Sequence, residues 1–203
     1  FETKSDVIEL PIFDELDIRG WDLRKALKLF RKSNPALLEW LDSPIVYRDD
    51  GVTAPAFRDL LPHMFSPTHS AYHYLHMARN NWLEHARSET LSPKKYIYAM
   101  RPLLAVKWIA AGRGKPPTFA ESMLDLIEDP AVKEAFRILI EHKKSGAELA
   151  KGPRIPELHH YIQSQIDELK DAHFEFDEQP KDTQALDDLF QSSLKRVWCE
   201  AVA

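Results

Sequence analysis

From Asp22 onward the apolar positions take on a helical rhythm. Leu23, Ala26, Leu27 and Phe30 fall at i, i+3, i+4 and i+7, one face of a helix, while Lys25, Lys28 and Lys32 face elsewhere. Asp22 is placed to cap that helix at its N-terminus. Asn34-Pro35 repeats the arrangement of cap and first-turn proline, ahead of the apolar Leu37, Leu38, Trp40 and Leu41. Before Asp22 the rhythm differs: DVIELPIF (residues 6–13) and LDIRG (residues 16–20) are short, β-branched stretches broken by Asp and Pro, and they predict strands. SPIVY (residues 43–47) predicts a further short extended segment. Downstream, helices are expected at about 54–62, 67–87, 93–111, 119–128, 130–145, 156–173 and 182–200, with Pro-marked connections between them. AAGRGKPPT (residues 110–118) is the clearest loop. The run from Tyr96 to Ala111 is almost wholly apolar and predicts a central buried helix, in which Pro102 implies a kink or a start one turn later. The expected fold is mainly α within the α+β class: a short β remnant over residues 1–21, then a multi-helix domain over residues 22–203.

Composition agrees with this and removes some functions. Six Gly against 14 Pro suit a helical chain whose prolines start and stop helices. A net charge of −5 gives no global field for nucleic acid, so any phosphate binding must come from a local cluster. The single cysteine, Cys199, excludes an internal disulfide and a cysteine-based zinc site. Neither a spanning apolar run nor a signal peptide is visible, so no membrane partner and a cytoplasmic location are expected. The chain starts at Phe1 rather than Met, which predicts a fragment or a processed form.

The candidate chemistry is sparse. Asp17, at the end of a strand-like stretch beside a Gly turn, is either a Mg²⁺ ligand, since that ion favours carboxylate oxygens, or a solvated turn acid. Lys94, Tyr98 and Arg101 lie at i, i+4 and i+7 beside Lys95, and they read as a triphosphate clamp or as cations at the rim of a core helix. His69, His73, His76 and Asn80 form a polar stripe with no evident carboxylate to complete a metal site. Arg79 and His85 resemble the Arg-x(4–6)-His signature of HEPN-type ribonucleases, a short pattern that arises easily by chance. Phosphate loops, dinucleotide fingerprints, nucleophile elbows and zinc-protease motifs are absent. The acidic stretch from Phe174 to Asp188 reads as a solvated linker.

DIRGWDLRKALKLFRKSNPALLEWLDSPIVY resembles the nucleotidyltransferases of the DNA polymerase beta superfamily, specifically the RNA-ligase-associated type. The likeness runs on through SPTHSAYHYLHMARNNW and KKYIYAMRPLLAVKWI, covering about residues 6–111. In that superfamily a small sheet carries a Gly-Ser turn, a paired Asp-x-Asp and a third carboxylate. Two Mg²⁺ ions there align an NTP for attack by a hydroxyl group. The resemblance places Asp17 at the third carboxylate. It makes Arg24, Lys25, Lys95, Tyr98 and Arg101 expected contacts for NTP phosphates or substrate, facing the sheet across a cleft.

The same resemblance implies an activity: transfer of a nucleotidyl group from an NTP to a hydroxyl on RNA, protein or a small molecule, with Mg²⁺ as cofactor. No Gly-Ser turn and no Asp-x-Asp occurs in the 203 residues, so those parts are expected ahead of Phe1 and the chain alone is expected to be inactive. The surface left for the absent sheet would then be exposed or covered by a second copy, which makes a homo-oligomer an expected partner. Two rival readings stand beside this one: a metal-independent ribonuclease using Arg79 and His85, and a non-catalytic helical interaction module.

Overall fold

Helix starts in this chain are set by side chains and prolines that replace missing backbone bonds. The computed structural model describes residues 5–14, 16–146, 150–178 and 181–200. In chain order the elements are β1 (Val7–Glu9), β2 (Arg19–Trp21), α1 (Leu23–Arg31), α2 (Pro35–Leu41), α3 (Thr53–Met64), α4 (Pro67–Leu83), β3 (Thr90–Leu91), α5 (Pro93–Ala110), a 3₁₀ helix (Ala120–Leu126), α6 (Pro130–Lys144), β4 (Gly152–Pro153), α7 (Pro156–Glu168) and α8 (Gln184–Glu200). The chain is therefore mainly α with a small β remnant, as the sequence predicts. Contacts divide it into two compact units: Phe1–Ser66 with Gln179–Ala203, and Pro67–Glu178.

In the first unit β1 and β2 pair antiparallel and lead into α1. Asp22 caps α1, its carboxylate accepting the Lys25 N–H at 2.6 Å, and Asn34 caps α2 through the Leu37 N–H at 3.2 Å. The core joins Leu27 and Phe30 of α1, Leu37 and Leu38 of α2, Phe57 and Met64 of α3, and Leu186 and Leu189 of α8. Phe30 meets Phe57 edge-on, with centroids 4.9 Å apart. Between α1 and α2, fully buried Ser33 adopts a left-handed φ of 51°. Its hydroxyl donates to the Met64 carbonyl and accepts the Ser66 N–H at 2.8 Å, which ties this turn to the end of α3.

The start of α3 and the body of α8 are clasped by one carboxylate. Asp50 accepts the N–H groups of Val52 and Thr53 at 2.9 and 2.7 Å and the Thr53 hydroxyl at 2.6 Å, and it pairs with Arg196 at 2.6 Å. The Thr53 hydroxyl, then Arg196 and the two amides, hold the Asp50 carboxyl far below the usual carboxylate range. A folded-state value below the unfolded one gives stability that is present above the ordinary Asp value near 4 and is lost as pH falls through the folded value. Asp50→Asn is thus expected to destabilise this unit by about 1 kcal/mol at neutral pH, the scale of a helix cap, and to flatten the acid limb of its stability curve. Urea melts at pH 7 and pH 3 check both; parallel pH curves for the two proteins would refute the assignment.

In the second unit α5 is the central helix, with Tyr96, Met100, Leu103, Leu104, Val106 and Ile109 essentially inaccessible. It packs against α4, the 3₁₀ helix, α6 and α7, and one continuous core runs through them. The helix continues through Pro102 from a start at Pro93, so the later start allowed by the sequence does not occur. Proline leaves the carbonyl one turn earlier without its donor. Here the Asn81 side chain of α4 supplies it, donating to the Tyr98 carbonyl at 2.9 Å.

Other differences from expectation have local causes. The helix expected at about 119–128 is a 3₁₀ helix over Ala120–Leu126, in which Ala120, Met123 and Leu126 recur every third residue toward the core. Residues 43–47 make no strand, because the Ser43 hydroxyl bonds both the N–H and the carbonyl of Ile45. The β3–β4 pair, two residues on each side, is too short to leave a pattern in the sequence. The acidic stretch is a solvated linker only in part, since Phe174 is buried edge-on against Tyr72, whose hydroxyl accepts the Phe174 N–H at 3.2 Å. Among the described residues no helix is long and apolar enough to cross a membrane.

Candidate active site and anion-binding residues

The β1–β2 hairpin has two unlike faces. The register pairs Val7 with Trp21, Ile8 with Gly20 and Glu9 with Arg19, and the ladder extends from the Leu10 N–H to the Ile18 carbonyl at 3.1 Å. Alternation puts Ile8, Leu10 and Ile18 on one face, where they remain 48, 51 and 44% exposed. The opposite face carries Glu9, Arg19 and Asp17 at one end and Val7 and Trp21 at the other, where Trp21 stacks on Trp40 with centroids 4.1 Å apart. Arg19 holds Asp17 through Nε at 3.1 Å and Glu9 through Nη1 at 3.4 Å, and all three side chains stay at least half exposed. Asp17 therefore sits at the entrance to β2, on the side of the hairpin opposite the half-exposed Ile8, Leu10 and Ile18.

Arg24 and Lys25, neighbours in sequence, point to different surroundings. The Lys25 ammonium pairs with Asp6, just ahead of β1, at 2.9 Å. That binds the first turn of α1 to the hairpin carrying Asp17, together with the Asp22 N–H, which donates to the Asp6 carbonyl at 3.0 Å. Arg24 instead lines a groove between α1 and α8 with Lys28 and Arg31.

In the second unit Arg101 lines a pocket of about 280 Å³ formed by α5, the 3₁₀ helix and α6. Its floor is apolar, from Ile97, Ala120 and Ile140, and its polar wall is Arg101, Lys143 and Lys144. Arg101 Nε donates to the Thr118 carbonyl at 3.2 Å, which fixes the loop leading to exposed Phe119. The Lys143 ammonium lies 5.9 Å from the centre of the Tyr98 ring, and Lys144 pairs with Glu121. Burial pushes the Glu121 carboxyl up, but Lys144 and Lys143 outweigh it and hold the group below its usual value, so Glu121 is ionised. Three cations face one acid here. Arg101 thus lines a candidate anion pocket, Tyr98 adjoins it only through Lys143, and neither Tyr98 nor Lys95 is among its lining residues. Lys143, Lys144 and Phe119 were not singled out from the sequence. Only tertiary packing brings the last turn of α6 beside the Pro-rich loop.

Elsewhere the candidates do not converge. His69, His73 and His76 are exposed along α4, and no group of three or more His, Cys, Asp or Glu among the described residues is placed to hold a metal ion. Arg79 lines a groove with Trp82, Arg87, Gln163 and Lys170 that does not include His85, which lies in the turn after α4.

The sequence model of RlaP, the RNA repair pathway DNA polymerase beta family, matches residues 1–192. The chain belongs to this family. The match includes the hairpin with Asp17, the whole second unit and the first half of α8. It agrees with the resemblance read from the sequence over about residues 6–111. A Bacillus subtilis (strain 168) relative, described as the uncharacterized protein YcgL, is 42% identical over 199 residues, which is 97% of this chain and 76% of that protein. No solved structure matches.

Proposed function

We propose that this RlaP chain is part of a Mg²⁺-dependent nucleotidyltransferase that moves a nucleotidyl group from an NTP to a hydroxyl of RNA. The observation that carries the reading is the setting of Asp17, an exposed carboxylate at a strand entrance with half-exposed Ile8, Leu10 and Ile18 on the other face of the same hairpin. A carboxylate is a hard oxygen donor of the kind Mg²⁺ takes, and an exposed Arg19 pair is weak enough to be exchanged for it. Asp17 by itself is one ligand. In this reading the others come from the Asp-x-Asp that the superfamily pattern carries and that the 203 residues lack. The strands bearing that motif would cover Ile8, Leu10 and Ile18.

In this reading Asp17 would hold the metal and would accept the proton of the attacking hydroxyl. That oxygen bonds to the α-phosphorus, the bond from the α-phosphorus to the bridging oxygen breaks, and diphosphate leaves. Bound Mg²⁺ supplies positive charge to the phosphate oxygens during the transfer. Lys25 keeps α1 against the hairpin through Asp6 and offers a cation for phosphate. Lys95, Tyr98 and Arg101, all in the second unit, are the proposed contacts for phosphate or substrate, Arg101 through its pocket with Lys143 and Lys144. Support for RNA as acceptor comes from the family description, an RNA repair pathway.

The test is label transfer from each NTP to RNA by a protein carrying this chain with an upstream Asp-x-Asp, assayed with and without EDTA. Incorporation that is lost in EDTA is expected; none with any NTP, or equal incorporation in EDTA, rejects the reading. Within it, Lys143→Gln is expected to raise KM for the NTP about tenfold with a smaller change in kcat, the scale of one charge-assisted hydrogen bond. An unchanged KM would remove the pocket from the NTP site.

A further inference from the structure

The basic side of α1 has no role in that chemistry, and it is an unusual surface for a chain of net charge −5. The helix reads LRKALKLFR, without an acidic residue, so it has no internal ion pairs. Arg24, Lys28 and Arg31 fall at i, i+4 and i+7, where like charges repel and weaken a helix by a few tenths of a kcal/mol per pair. All three are exposed, and none makes an ion pair among the described residues. Asp187 of α8 lines the same groove and does not neutralise them.

The cations form the rim of a groove of about 390 Å³ between α1 and α8, with Leu27, Leu186 and half-buried Phe190 as its apolar floor. Seven residues of helix extend about 10 Å, so the three charges form a line and not a cluster. A triphosphate is compact and fits a clamp. A line of cations over an apolar, aromatic floor suits an extended polyanion whose flat groups turn inward. Grooves for single-stranded nucleic acid combine these two features, cations along the backbone and an aromatic ring for the bases.

We propose that the α1–α8 groove binds single-stranded RNA, with Arg24, Lys28 and Arg31 on successive phosphates and Phe190 under a base. This rests on the reading that RNA is the acceptor and adds where the strand lies on the first unit. It also gives Arg24 a role apart from the NTP.

The test is fluorescence anisotropy of a labelled single-stranded oligoribonucleotide, about a dozen nucleotides long to fill one site, with the full chain over a range of salt concentrations. Each phosphate contact on a single strand contributes about 0.7 to the slope of log K against log salt, so replacing all three cations by Gln is expected to flatten it by about 2. Phe190→Leu is expected to weaken binding about tenfold at an unchanged slope, through lost stacking. A control with Lys133, Lys151 and Lys195 changed to Gln removes the same charge elsewhere and should keep the slope of the unmodified chain. Circular dichroism confirms that each variant keeps its helices. Equal flattening in both triple variants, or no RNA binding by the unmodified chain, overturns the proposal. Either result leaves the transferase reading to the label-transfer assay, whereas binding through α1 without any label transfer rejects the transferase and keeps the groove.

Discussion

Asp17→Asn is expected to lower kcat for label transfer roughly 100- to 1,000-fold, the scale on which loss of one preorganised charged group acts in an active site. The substitution keeps the side chain's size and removes its charge and its ability to take a proton. Its cost to folding should be small, because the ion pair with Arg19 is exposed and such pairs contribute about 0–1 kcal/mol. Arg19→Gln separates the two roles: it removes the same ion pair and frees Asp17 for the metal, so kcat should hold or rise. The readout is NTP incorporation at saturating Mg²⁺, with thermal melts run alongside. If Asp17→Asn retains activity within a few-fold of the unmodified protein, the carboxylate is a turn acid and the proposed chemistry needs another ligand.

The largest stability effect should come from Trp82. This residue of α4 is 2% exposed, and its ring lies 5.9 Å from Tyr96 of α5 and 4.8 Å from His159 of α7. Its indole N–H donates to Gln163 Oε1 at 3.0 Å, and Gln163 in turn donates to Asp167 at 3.0 Å. Trp82→Ala removes the packing and the donor together and is expected to cost about 3–5 kcal/mol, the range for large aromatic truncations in a core. Trp82→Phe keeps a ring but leaves the Gln163 oxygen without its donor, at about 1–3 kcal/mol. Guanidinium titrations of both variants measure the two losses. Equal midpoints for Trp82→Ala and the unmodified protein would show that this side chain does not join the three helices.

The helices were legible because each starts with a local device. Asp22, Asn34 and Asp129 accept amides of the first turn, and Pro35, Pro93, Pro130 and Pro156 occupy first-turn positions. The buried character of α5 was equally visible, since almost nothing from Tyr96 to Ala111 is polar. What the pattern could not reveal was pairing between distant parts. The donor that compensates Pro102 comes from Asn81, 17 residues before the Tyr98 whose carbonyl it satisfies. The pocket around Arg101 needs Lys143 and Lys144 from another helix. The candidate site was legible only at Asp17 and on one side of α5. Arg24 and Lys25 show the limit: adjacent letters on a helix diverge by about 100°, so one reaches the hairpin and the other the α8 groove.

The hairpin bears on when the Asp17 carboxylate acquires its place. Two strands of three residues with one apolar side in water form a structure that is marginal by itself. Both outer edges of such a ribbon offer free backbone donors and acceptors, so strand addition on either side would lengthen the ladder and dry Ile8, Leu10 and Ile18 in one event. Amide protons of residues 7–9 and 19–21 should therefore exchange rapidly in this chain and slow sharply once further strands are present. In the proposed reading, lengthening the sheet and fixing the position of the Asp17 carboxylate would be a single cooperative step.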